Sequence, residues 1–584
     1  MGKKAGLLVP LFSVYSRRSL GIGDLNDLRP LVDFCRKTAL SVLQLLPMNE
    51  TGMFSCPYDS VSSFAIDPVY LSLGGLALPA ALRRGVEKLR QDFPAGAPFA
   101  DYRLKKEKLA LLRQVFLAQD GKQGADFLRF REENSYWLED YCLYRALKDK
   151  FGGAAWYDWP PELRGREPSA LGQARAQNSG EILFYAWLQW RLFCKFKAAK
   201  EYANSRGISL KGDLPILVSR DSADVWQHQE SFKLQFAAGA PPDMYCALGQ
   251  RWGMPKNNWE GIAADNFQYL KRRLRYAENF YDLLRIDHVV RLFRIWSIPF
   301  AEPRENQGLN GFFDPADQAE WEGHGRRILQ VMAAATKMRL CAEDLGVIPR
   351  CCTDTLRQMG IPGNEVQRWV KDWQVSHDFL SPQQYRQVAV AMLSTHDTTN
   401  WMAWWENEAG TVDEEFFRRL CAGRVDCSSA KAQLFDAGKS RYGRLRWRAE
   451  ISSVERMLIA LGRERQEAED FARVYMDTFG EKERLWARLG LKGPMREQAD
   501  KEILAAAHRL TLDSASEYTI ELITDWLMLC DGLYKGDPYQ FRVNTPGTVS
   551  DKNWSQTLPL SLEGLLKHPV CSRIRKMVEA SGRG

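Results

Sequence analysis

The chain has 584 residues, 45% apolar and 26% charged, a composition that fits a folded globular protein and excludes a disordered or low-complexity one. Its formal net charge of +7 is small for this length, and the densest basic run, Lys271-Arg272-Arg273-Leu274-Arg275, reads as a solvated helix face, so no nucleic-acid partner is expected. No apolar run is long enough for a membrane span, and the 5–12 stretch is broken by Pro10; with 12 scattered cysteines and 7 histidines the expectation is a cytoplasmic protein with free thiols and no metal or cofactor.

Apolar runs at 6–15 and 41–46 read as strands, with a helix-like stretch at 25–37 between them. Pro47 ends the second run and opens a loop at 48–63. From 76 to 204 the pattern turns helical and charged; 136–151 and 182–204 repeat apolar residues at spacings of three and four. Strand signals return at 214–218, 283–286, 339–342, 366–370 and 388–393, separated by helix-like segments. Such alternation predicts a parallel sheet, and this many units predict a closed barrel. The 406–510 stretch is again helical; 514–529 reads as a helix, 531–543 as the last strand, and 554–584 closes the chain. The expected organisation is a barrel start at 1–75, a helical insertion at 76–205, a barrel core at 206–405, a second helical insertion at 406–510 and a closing segment at 511–584.

Three acidic motifs follow strand signals: Arg285-Ile286-Asp287-His288, Ala342-Glu343-Asp344-Leu345-Gly346 and Thr395-His396-Asp397. Their acids lie 56 and 54 positions apart, about the pitch of strand-helix units around a barrel whose strand ends share one cleft. Side chains alternate along a strand, so Arg285 and Asp287 share a face, and a fixed cation would keep Asp287 ionised as a nucleophile requires. A structural ion pair explains that motif equally well. Glu343 ends its strand while Asp344 points the other way; the motif suits a general acid or a strand-to-helix turn. Asp397 suits either a helix N-cap or a grip on sugar hydroxyls, with His396 assisting. Three convergent carboxylates, one beside an arginine, fit acetal chemistry. Tyr58, Trp252, Trp259, Trp401, Trp404 and Trp405 fall in loops or at loop-helix junctions, where aromatic faces could cover sugar rings; for the helically spaced Trp401, Trp404 and Trp405, ordinary packing is favoured.

With these motifs in order, the chain resembles the amylomaltases, or 4-α-glucanotransferases, from Leu7 to about Trp405 and again from about Ser514 to Leu560. Further anchors are Gly21-Ile22-Gly23-Asp24, Gln44-Leu45-Leu46-Pro47, Pro57-Tyr58, Gly212-Asp213-Leu214-Pro215-Ile216, Asp221-Ser222-Ala223-Asp224-Val225-Trp226, Pro241-Pro242-Asp243, Gly249-Gln250-Arg251-Trp252-Gly253 and Arg542-Val543-Asn544. The resemblance implies a (β/α)8 TIM barrel with large helical insertions, and retaining transfer of α-1,4-glucan segments between maltodextrins. It makes Asp287 the nucleophile, Glu343 the acid/base and Asp397 the transition-state stabiliser. It places Tyr58, Asp213, Arg285, His396 and Asn544 around the reacting sugar, and Asp243, Gln250 and Trp252 on a glucan-covering loop at about 239–260.

The chain departs from the family pattern at Val289-Val290-Arg291-Leu292, at Met244-Tyr245, at Asn257 and at Thr398. These changes bear on chain-length preference and on the balance of transfer and hydrolysis. The alternatives are a retaining α-glucan hydrolase on the same site and a catalytically weakened glucan-binding or regulatory protein.

Overall fold

Eight short strands run parallel and pair with their chain neighbours in the computed structural model, which describes residues 2–52, 55–74, 76, 78–118, 124–242 and 248–584. They are β1 (Lys4–Leu8), β2 (Val42–Gln44), β3 (Ser209–Leu214), β4 (Leu283–Ile286), β5 (Arg339–Ala342), β6 (Gly363–Val366), β7 (Ala389–Met392) and β8 (Tyr518–Leu522). Ladders run without interruption from β6 through β7, β8, β1, β2, β3 and β4 to β5. The last seam is tied by Ala342 N–H donating to the Pro362 carbonyl at 2.7 Å and Asn364 N–H donating to the Asp344 carboxylate at 2.7 Å. The result is the expected (β/α)8 barrel. Every residue of β2, β4, β6, β7 and β8 is buried, as strands between an outer helical ring and a packed interior must be.

The helix Leu28–Lys37 shows how the outer ring forms. Leu28, Leu31, Val32, Phe34 and Cys35 make one buried stripe, while Arg36 and Lys37 sit in the last turn, where the helix dipole favours cations. Between β2 and β3 the chain makes a helical layer that includes Arg103–Ala118, Ser135–Lys150 and Ser179–Ser205. Between β3 and β5 it builds a four-stranded antiparallel sheet from Gln250–Asn257, Phe232–Ala240, Ile295–Pro299 and Phe312–Asp314. Between β7 and β8 lies a unit with its own apolar centre, in which Val412, Phe417, Leu434, Phe435, Trp447, Phe471 and Tyr475 are buried together. No helix among the described residues is long and apolar enough to cross a membrane.

Several expected elements move. The last strand is Tyr518–Leu522, inside the stretch read as a helix; only Ile523–Leu527 is helical there. The 531–543 stretch carries no strand; Gly532 and Gly536 at positive φ and a turn at Pro538–Gln540 make it a loop. The 366–370 signal is largely a tight turn after β6, and the 214–218 signal follows β3 rather than forming it. Trp252 lies on a strand of the antiparallel sheet, not in a loop.

Candidate active site

Apart from Gln250 and Trp252, on the antiparallel sheet, the described candidate side chains lie at the C-terminal ends of barrel strands or in the loops that follow them. Asp213 is in β3 and Arg285 in β4; Asp287 and Glu343 follow β4 and β5 directly. Tyr58, Asp397 and Asn544 come from the loops after β2, β7 and β8. Asp287, Glu343, Asp397, Tyr58, Arg285, His396, Asn544, Gln250 and Trp252 line one cleft of about 3410 Å³. Asp213 lies just beneath it, 4% exposed. Asp243, Met244 and Tyr245 lie outside the described residues.

Arg285 organises the floor. Its Nη1 donates to both Asp213 oxygens at 2.8 Å and to Oδ1 of Asp287 at 3.0 Å, and its Nη2 lies 3.6 Å from Oε2 of Glu343. The Tyr58 hydroxyl donates to Oδ2 of Asp213 at 2.8 Å. Burial pushes Asp213 up, opposed by the Arg285 charge. Burial opposes the charged form of Arg285, yet the surrounding Asp213, Asp287 and Glu343 hold it well above its ordinary value. The expected ion pair between Arg285 and Asp287 therefore exists, but as part of a multi-residue cluster facing the cleft.

Glu343 is held by the backbone. His288 takes a left-handed conformation, φ 41°, immediately after the strand, and its N–H donates to Oε2 of Glu343 at 2.7 Å. The Leu345 N–H donates to Oε1 at 2.9 Å. Burial raises the Glu343 carboxyl, but the His288 side chain, Arg285 and the Leu345 N–H outweigh it and hold the group near about 2. With these contacts Glu343 is held as an anion, the opposite of what an acid step needs. Asp344 points away from it, toward Arg386 at 2.6 Å and Asn364 N–H.

Asp397 accepts from the Asn544 amide at 2.7 Å, and Nε2 of His396 lies 3.3 Å from its other oxygen. Burial raises the carboxyl; His396 and Asn544 bring it below its usual range. Burial also disfavours charged His396, but Asp397 raises it above its ordinary value. Tyr58 stacks on the His396 ring at 5.2 Å and 16°. Burial drives the Tyr58 hydroxyl well above its usual value, so it acts as a donor.

Arg291 and Trp554, beside the carboxylates and His396, are among the cleft residues that the sequence did not single out. Arg291, in the divergent run after His288, places Nη1 3.7 Å from Oδ2 of Asp287 and its guanidinium 4.4 Å from the Trp252 ring. Trp252 also donates from Nε1 to the Gln250 amide oxygen at 2.8 Å. Trp554 packs against both Tyr58 and His396, at 5.8 and 5.9 Å. The family-like Arg542-Val543-Asn544 motif ten residues earlier is the nearest signal for it. Trp259 and Asn257 do not line the cleft. Trp401, Trp404 and Trp405 are buried packing residues, as favoured from their spacing.

Comparison with known proteins bears on the family and the fold. A family model described as 4-alpha-glucanotransferase matches residues 9–561. A 4-alpha-glucanotransferase of Chlamydia pneumoniae is 32% identical over 570 residues, covering 97% of this chain and 93% of the relative. One from Thermus thermophilus is 33% identical over 419 residues, covering 69% and 80%. An amylomaltase from Streptococcus agalactiae, solved in complex with acarbose, superposes over 100% of both chains with a TM-score of 0.70 at 22% identity. An amylomaltase from Corynebacterium glutamicum gives a TM-score of 0.71 at 21% identity, covering 99% of this chain and 75% of that one. At those identities the two structures establish the likeness of fold.

Proposed function

The chain belongs to the 4-alpha-glucanotransferase family, and we propose that it transfers α-1,4-glucan segments between maltodextrins by a retaining, two-step reaction at this cleft. The observation that carries the reading is the shared Arg285 contact with Asp287 and Glu343 at the barrel mouth. A cleft of about 3410 Å³ far exceeds the few hundred to roughly 1,000 Å³ typical of a small-molecule pocket, and suits a polymer.

In the first step Asp287 attacks the anomeric carbon while Glu343 gives a proton to the departing glycosidic oxygen, leaving a β-glycosyl ester on Asp287. In the second step the 4-hydroxyl of an acceptor glucan attacks the same carbon, Glu343 takes its proton, and Asp287 leaves as a carboxylate. Retention calls for carboxyl groups about 5–5.5 Å apart. The ionised form of Glu343 is the one the base half of this cycle needs. The acid half then requires donor binding to weaken the contacts that hold Glu343 ionised, and the further desolvation pushes the carboxyl upward.

Asp397, held by Asn544, is oriented to take ring hydroxyls of the reacting sugar. In this reading Gln250 and Trp252, which line the cleft from the antiparallel sheet, cover the glucan where water must be excluded for transfer to win over hydrolysis. All eleven described cysteines are free thiols, which suits a cytoplasmic location.

The test is incubation of the purified protein with maltotriose. Glucose together with maltodextrins longer than the substrate is the expected product pool. A pool with nothing longer than maltotriose would instead identify a hydrolase, and binding without turnover a glucan-binding protein.

A further inference from the structure

Asp287 faces two guanidinium groups. We propose that Arg291 is a positioning residue for the second half of the reaction: its charge, held beside Oδ2 of Asp287, draws the carboxylate off the sugar as the glycosyl ester breaks. The proposal rests on the reading of Asp287 as the nucleophile and adds a partner that Arg285 alone does not supply.

The two arginines are not equivalent. Nη1 of Arg285 donates to Oδ1 of Asp287 at 3.0 Å and to both oxygens of Asp213 at 2.8 Å, so its hydrogen bonds are shared between two carboxylates. Nη1 of Arg291 stands 3.7 Å from the other oxygen, Oδ2. That separation is longer than a hydrogen bond, so Oδ2 is left free to attack while a positive charge stays close. The buried Nε of Arg291 has no hydrogen-bond partner among the described residues.

A well-anchored turn carries this side chain. Val289 and Leu292 are fully buried, the Val289 N–H donates to the Glu343 carbonyl at 3.0 Å, and the Arg291 N–H donates to the His288 carbonyl at 3.1 Å. Arg291 lies on the cleft side of the turn. Its guanidinium is 4.4 Å from the Trp252 ring centre, and that ring is fixed by the bond from its Nε1 to Gln250 at 2.8 Å. Burial lowers the guanidinium from its ordinary value, Asp287 and Glu343 oppose the loss, and an arginine stacked on an indole in this way keeps its charge. The turn is also where the chain departs from the family pattern, so this partner is not one that the resemblance supplied.

The charge acts differently in the two steps. Forming the ester joins the anomeric carbon to an Asp287 oxygen and consumes the carboxylate charge, so a cation there stabilises the starting state as well. In the second step the acceptor 4-oxygen bonds to the anomeric carbon, its proton passes to Glu343, and the electron pair of the breaking ester bond returns to Asp287. Negative charge then grows beside Arg291 from a neutral ester, and the attraction is stronger in the transition state than before it.

The test is Arg291→Gln, with Arg291→Lys beside it. The donor is an α-maltosyl fluoride lacking its terminal 4-hydroxyl, which can give its sugar but cannot accept one. Fluoride released in the first turnover reads ester formation; loss of the glycosyl-enzyme on adding maltose, followed by protein mass, reads ester breakdown. Arg291→Gln should form the ester within about 2-fold of the wild-type rate and break it down about 10-fold more slowly, so that glycosylated protein accumulates. Arg291→Lys keeps the charge and should recover most of that loss. Both rates are taken per glycosylated site, so a partly folded variant lowers the amplitude and not the rates. Equal slowing of both steps, as for a merely structural residue, overturns the proposal, and so does breakdown at the wild-type rate; in either case the nucleophile reading stands. A wild-type protein that forms no ester removes the nucleophile reading and the proposal together.

Discussion

The side-chain amide of Asn544 donates to Oδ1 of Asp397 at 2.7 Å, joining the loop after β8 to the loop after β7 across the barrel mouth. Burial alone would keep this carboxyl protonated to a higher pH; His396 and Asn544 pull it down. The side chain is still 45% exposed to the cleft, so solvent tempers each contribution. Removing the amide raises the Asp397 pKa, and the ionised form is then lost at a higher pH on acidification. Asn544→Ala should shift the acidic limb of the kcat/KM profile for maltotriose upward and lower kcat/KM at neutral pH about 10-fold, the worth of one charged hydrogen bond. An unshifted limb with near-normal turnover would remove Asn544 from the site.

The proposed roles of Asp287 and Glu343 separate experimentally. Asp287→Ala should abolish transfer while the fold survives, since Asp287 is partly open to the cleft rather than part of the core. Glu343→Gln should lose about 10³-fold on maltotriose, whose leaving group needs a proton. On a maltosyl fluoride, whose leaving group needs none, the same variant should still form the glycosyl-enzyme, seen as a fluoride burst. Equal losses on both donors would contradict an acid role.

Arg368 ties down the loop that carries His396 and Asp397. It is 2% exposed; Nη2 donates to Ser394 Oγ at 2.9 Å and the Thr399 carbonyl at 2.9 Å, and Nη1 to Thr399 Oγ1 at 3.1 Å. It therefore grips both flanks of the turn that carries His396 and Asp397. Thr399 in turn donates to Glu408, at the start of the inserted unit, at 2.8 Å. Arg368→Lys keeps the charge but not the planar fork. It should cut kcat about 10-fold with little change in KM for maltotriose, because the turn shifts while the rest of the cleft still binds. A matched fall in stability and in both kinetic constants would point to a purely structural residue.

How far the sequence predicted this arrangement depends on what each strand carries inward. The β4 and β5 bounds coincide with the expected strands 283–286 and 339–342, because apart from Arg285 and Arg339 those strands are apolar up to the first acid. β3 was displaced because it buries Lys211 and Asp213, at 1% and 4% exposure, which break the apolar pattern. β6 buries Asn364 and Glu365, and β8 buries Thr519 and Glu521, with the same effect. A strand that sends polar groups into a barrel reads as amphipathic, so β8 was read as part of a helix at 514–529. The carboxylates and Arg285 were visible as motifs, whereas the contacts of Arg291 and Arg368 arise only when distant loops meet.

The polar interior of β8 also sets a pH limit on stability. Glu521 is fully buried in β8, accepts from the Leu393 N–H at 2.7 Å and the Thr511 hydroxyl at 2.6 Å, and is pushed up by burial to about 8. Its folded-state pKa exceeds the value near 4.5 of an exposed glutamate, so the native state binds the extra proton. Stability from this group is therefore fully present below about pH 4.5 and is lost as pH rises through about 8. Glu521→Gln removes the ionisation while keeping an amide of similar shape, whose oxygen can accept from Leu393 and whose NH2 can donate to Thr511. The variant should match the wild type in thermal unfolding near pH 5 and exceed it by up to roughly 3 kcal/mol near pH 9. Parallel Tm-versus-pH curves for the two proteins would show that Glu521 is already ionised in the folded barrel.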